Sequence, residues 1–73
     1  MSKATQNEDI LWYCENFTSI TPMEAMVELG IMRLAARIME LEKLGYKFKH
    51  EWIQFKTRRG KNGRYMRYTL LEG

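Results

Sequence analysis

Six cations crowd one short segment: Lys56, Arg58, Arg59, Lys61, Arg64 and Arg67 occur with no acidic residue between Lys56 and Thr69. Like charges this close repel one another, and a phosphate backbone would relieve the repulsion. The alternative is an edge strand kept from aggregating by its charges, a device that needs one or two cations and not six. Two further arginines, Arg33 and Arg37, stand four apart in GIMRLAARIMELEKLGY, from Gly30 to Tyr46. At helical spacing they share a face, and arginine pairs bidentately with O6 and N7 of guanine. They can equally form surface salt bridges with Glu40 or another nearby acid, worth at most about 1 kcal/mol. The basic segment on the same half of the chain tips the balance towards DNA, with Lys43 as a third cation on that helix.

Other chemistry finds little to work with. His50 sits beside Glu51 but has no matching nucleophile, and Cys14 lies inside an apolar pattern with no acid, base or metal partner nearby in sequence. Cys14 therefore reads as an inert small hydrophobe. One cysteine and one histidine are too few for a four-ligand zinc site, and no glycine-rich phosphate loop precedes a helix. The sequence is expected to encode no enzyme and to need no cofactor or metal.

The elements that must carry these charges fit a single domain spanning 1–73, with 45% hydrophobic and 29% charged residues. No apolar run reaches the length of a membrane span, the N-terminus lacks the pattern of a signal peptide, and a lone cysteine fits a reducing compartment; a cytoplasmic protein is expected. Charge divides the chain in two. Residues 1–32 hold one lysine against five acids, net −4, whereas residues 33–73 hold eleven cations against four acids, net +7. Such asymmetry points to a polyanion meeting the C-terminal part.

Residues 1–4 read as a loose leader, and Thr5 with Glu8 has the form of a capping box opening a first helix over 6–16. That helix would bury Ile10, Leu11, Cys14 and Phe17, carry its acids largely in its first turn, and keep Trp12 and Tyr13 in or near the core, as is also expected of Trp52. Thr21, Pro22 and Glu24 open a second helix over 22–29, which Gly30 closes. A third helix follows over 32–44 up to Gly45, burying Ile31, Leu34, Ala35, Ile38 and Leu41 and exposing Arg33, Arg37 and Glu40 around the small Ala36. Helix, glycine turn and helix make the helix-turn-helix layout. Met23, Met26 and Met32 lie near that turn, where partial exposure is open to them. Beyond Tyr46 the period falls towards two, giving a β hairpin over 47–71 with a bulge expected at Trp52 and Ile53 and Asn62-Gly63 as the turn signal, Gly60 adding a further flexible point. Ile20 offers a third edge pairing to that sheet.

Three segments, Ile20 to Pro22, Gly30 to Ile38 and Leu44 to Tyr46, resemble those of a family of short winged helix-turn-helix proteins common in bacteriophage and prophage genomes. The resemblance extends over nearly the whole chain when the closing Arg67-Tyr68-Thr69-Leu70 is included. It implies a mainly α fold of three helices followed by a two-stranded wing, with Arg33 and Arg37 on the recognition helix and Arg58 to Arg64 at the wing tip. The expected function is double-stranded DNA binding by a small phage or prophage regulator, a transcriptional repressor or an accessory factor in excision or replication. In that arrangement Arg33, Arg37 and Lys43 approach the major groove, while Arg58, Arg59, Lys61 and Arg64, with Lys56 and Arg67 also on the DNA side, meet phosphates or the adjacent minor groove. A repressor of this kind would form a homodimer through its first helix or exposed aromatics, in the cytoplasm of a bacterial host. The rival from another class is a phage-encoded protein that binds and inhibits a host nuclease or polymerase, to be marked by an exposed patch of Trp12, Tyr13 and methionines. RNA binding is disfavoured because Tyr65 and Tyr68 face opposite sides of their strand.

Overall fold

The computed structural model describes residues 3–72, and side chains from residue 5 onward. It contains three helices and three strands: α1 (Lys3–Phe17), β1 (Ser19–Ile20), α2 (Pro22–Leu29), α3 (Leu34–Lys43), β2 (Lys47–Lys56) and β3 (Asn62–Leu71). None of these helices is long and apolar enough to cross a membrane.

Local signals decide α2 at both ends. The Thr21 hydroxyl accepts from the Glu24 amide at 3.3 Å while the Glu24 carboxylate accepts from the Thr21 amide at 2.9 Å, and Pro22 occupies the first turn where an amide would lack a partner. Gly30 closes the helix in the left-handed region at φ 69°, which lets its amide and that of Ile31 reach back to Met26 and Ala25.

The first helix begins earlier than its capping residues imply. Thr5 lies inside α1 and opens nothing, so Glu8 and Asp9 fall beyond the first turn instead of within it. Lys3 and Ala4 are good helix formers and carry the helix past the cap signal. Of the expected leader, Lys3 and Ala4 are helical and the first two residues lie outside the described ones. At its other end α1 is closed by Thr18 at φ 76°, whose amide donates to the Cys14 carbonyl at 2.8 Å. A β-branched residue in the left-handed region is strained by about 1 kcal/mol or more. Thr18→Gly is therefore expected to stabilise the fold by about 0.5–1 kcal/mol and raise the thermal midpoint by several degrees, measurable by circular dichroism. An unchanged or lower midpoint would mean that the threonine side chain compensates its own strain.

The sheet has the order β1-β3-β2, all antiparallel, so the fold has one strand more than a two-stranded wing. The extra strand is the edge pairing open to Ile20, which lies opposite Tyr68 and is fully buried. Pairing runs without interruption from Lys47 opposite Leu71 to Lys56 opposite Asn62. No bulge forms at Trp52 and Ile53, which simply point to opposite faces. Nor does Asn62-Gly63 make the turn: both residues are paired in β3, and the chain reverses through Arg58, Arg59 and Gly60. A turn at Asn62-Gly63 would set Lys61 opposite Arg64 and leave Lys47 to Glu51 without a strand to pair, losing the packing of Phe48 beside Leu70.

One face of the sheet, through Ile20, Phe48 and Tyr68, packs on Ile10, Tyr13 and Cys14 of α1, Ala25 of α2, and Ile31, Leu34, Ile38 and Leu41 at α3. Burial pushes the Cys14 thiol up to about 11, so it is inert near neutrality. His50 Nε2 lies 2.8 Å from the Glu42 carboxylate and ties β2 to the end of α3. Trp12 and Trp52, expected in or near the core, are 55% and 54% exposed, and Phe17 is exposed beside Trp12. Trp12 lies off the stripe of Ile10, Tyr13 and Cys14, and Trp52 sits on β2 beyond the buried end of the sheet.

Candidate nucleic-acid interface

The turn between β2 and β3 is built by Thr57 and Gly60. The Gly60 amide donates to the Thr57 carbonyl at 2.9 Å and Gly60 takes φ 84°, the left-handed step that lets a three-residue loop close a twisted hairpin. The Thr57 hydroxyl accepts from the Lys61 amide at 3.0 Å, and the Thr57 amide donates back to the Lys61 carbonyl. Arg58 and Arg59 thus stand at the tip, with Lys61 closing the turn and Lys56 and Arg64 on the strands behind them, all exposed.

No described acid forms an ion pair with any of these five cations. Arg64 lies with its guanidinium carbon 4.3 Å from the centre of the Trp52 ring, a cation–π stack that limits its freedom without using its hydrogen-bond donors. The sixth cation behaves differently. Arg67 donates through Nε and Nη2 to one Glu51 carboxylate oxygen at 3.2 and 2.8 Å, across a directly opposed strand pair. The Arg67 guanidinium accordingly holds the Glu51 carboxyl below the usual carboxylate range.

The third helix differs most from expectation. Arg33 is exposed but precedes α3 as its N-cap residue, with φ −118° and ψ 63° and no side-chain cap bond. Arg37, expected on the outer face, is buried at 8% exposure, with Nη2 3.5 Å from Glu40 and Nε lacking a partner. The reason is its spacing: Arg37 is three residues after Leu34 and four before Leu41, which places it on the flank of the buried stripe. Ala35, expected in the core, is exposed instead. The outward stripe of α3 runs through Ala35, the half-buried Ala36, Met39 and Lys43; Met32, which is 76% exposed, lies in the turn two residues before the helix.

Met32 also connects this helix to the hairpin. Together with Pro22, Met23 and Met26 it faces Phe55, Arg64 and Tyr65 across an open groove of ≈ 680 Å³. The groove therefore lies between α2 with the Met32 turn on one side and the hairpin on the other, with Arg64 as its lining cation and a largely apolar remainder. The charge run made the hairpin legible in advance. Met23, Met26 and Met32, for which partial exposure is open from the sequence, are exposed, whereas Met39 and Trp52 as the support of Arg64 are not singled out there, although the spacing of Leu34, Arg37, Ile38 and Leu41 carries the signal for Met39.

A family model described as a winged helix-turn-helix domain matches residues 5–73. The chain belongs to that family. No curated protein and no solved structure matches it. In this winged helix-turn-helix domain α2 and α3 form the helix pair and β2 with β3 the wing, with β1 completing a three-stranded sheet. Membership carries DNA binding as its coarse functional implication, and the second helix of such a pair is the one that lies in the major groove.

Proposed function

We propose that this domain binds double-stranded DNA, with α3 in the major groove and the wing on phosphates. The observation that carries the proposal is the set of five exposed cations on the wing, free of described ion pairs, of which Arg64 lines a groove shared with Met32 of the helix pair. Lys56, Arg58, Arg59, Lys61 and Arg64 are the phosphate contacts, with Arg33 and Lys43 at the two ends of α3. Arg67 is held by Glu51 and shapes the wing from within. The role proposed for it is that of a phage or prophage regulator, either a repressor or an accessory factor in excision or replication, acting in a bacterial cytoplasm. Dimerisation would give a repressor the base contacts that one module lacks.

The test is fluorescence anisotropy with random-sequence duplex DNA across a salt series. Four or five phosphate contacts give a slope of log affinity against log salt of about −4. No binding at low salt would overturn the proposal.

A second reading has its own support. Trp12 and Phe17 stand exposed together on α1, and Met23, Met26 and Val27 are exposed on α2, although Tyr13 of the expected patch is buried. Such surfaces suit a protein partner, and an inhibitor of a host nuclease or polymerase would bind its target through them with no DNA present.

A further inference from the structure

Apart from Lys43 in its last turn, the outward face of α3 lacks the groups that usually read bases. Its ten residues, LAARIMELEK, include no asparagine, glutamine, serine or threonine, so neither the amide pairing to adenine nor a hydroxyl contact is open to it. Its one arginine is buried, and the carboxylates of Glu40 and Glu42 lie against Arg37 and His50. What remains outward is Met32, Ala35, Ala36 and Met39, with Arg33 before the helix and Lys43 in its last turn. Apolar groups in the major groove have one base-specific partner, the C5 methyl of thymine.

We infer that Ala35, Ala36 and Met39 of α3, with Met32 in the turn before it, read thymine methyl groups, so that the domain prefers A·T pairs beneath this helix. The inference rests on the DNA-binding function proposed above and specifies what the helix recognises. The two alanines let the helix backbone come close to the groove floor, while the flexible thioethers of Met32 and Met39 adapt to methyls at neighbouring steps. An apolar face could also meet a protein, but this one carries the exposed cations Arg33 and Lys43 at its two ends, in a domain with a cationic wing. Positive charge at both ends of an apolar stripe matches a major groove, whose floor carries the methyls and whose two edges are phosphate.

The experiment compares four short duplexes at one salt concentration by anisotropy: alternating A-T, the same sequence with uracil for thymine, alternating G-C, and the same with 5-methylcytosine. Uracil lacks the C5 methyl, and 5-methylcytosine places one at the equivalent position of a G·C pair. Each buried methyl is worth about fourfold in affinity, so two contacts predict a loss of about fifteenfold on going to uracil. Methylation of the G-C duplex should tighten binding in the same sense. Met32→Ala with Met39→Ala removes two exposed side chains, should leave the thermal midpoint unchanged, and should bring the thymine-to-uracil ratio close to one. Salt-dependent binding with equal affinity for thymine and uracil duplexes would overturn methyl reading and leave DNA binding standing. Failure to bind any of the four would overturn both.

Discussion

Replacing Arg58, Arg59 and Lys61 together with alanine is expected to weaken binding to every duplex alike, by about a hundredfold near physiological salt. Each phosphate contact contributes about 0.9 to the salt slope, so the three should lower its magnitude by between about two and three. Uniform loss is expected because these residues stand at the wing tip, and phosphate contacts carry no base information. The turn itself should survive: it is closed by the Thr57 hydroxyl, by backbone bonds and by Gly60 at φ 84°, none of which the substitution removes. Removing three repelling charges should, if anything, raise the thermal midpoint slightly. The variant thus separates affinity from folding. A salt slope equal to that of the parent protein would mean that the wing tip does not touch phosphate.

How much of this arrangement can be read from the sequence depends on how local its cause is. The bounds of α2 follow from Thr21, Pro22, Glu24 and Gly30, whose effects act within a few residues, and the structure reproduces them to the residue. The charge division likewise needs no fold to be recognised. The turn is another matter. Asn62-Gly63 is a sound local signal, yet the register is set by Phe48, Tyr68 and Leu70 packing against helices far away in sequence, and Gly60 serves that register where Asn62-Gly63 does not. Non-local packing prevails because one slip of pairing moves a whole strand face out of the core. The position of Arg67 shows the same limit, since Glu51 becomes its partner only once the two strands are aligned.

Arg37 is the site residue whose surroundings differ most from expectation, and it yields predictions of different size for two substitutions. Arg37→Ala is expected to lower stability by about 1–3 kcal/mol, because the alkyl stem packs on the flank of the buried stripe and its removal leaves a gap. Arg37→Met keeps most of that volume and removes a buried Nε that has no partner, so it should fall within about 1 kcal/mol of the parent or exceed it. The Glu40 contact does little to alter this balance: at 3.5 Å, with Glu40 only partly buried, it is a long ion pair reached by solvent. Thermal denaturation of the two variants checks the ordering, and duplex binding checks the role. If Arg37 is structural, Arg37→Met folds like the parent and keeps its DNA affinity within about twofold, a difference of less than half a kcal/mol. A well-folded Arg37→Met that loses tenfold or more in affinity would show instead that the guanidinium leaves its buried position to meet DNA, with Glu40 holding it only in the free protein.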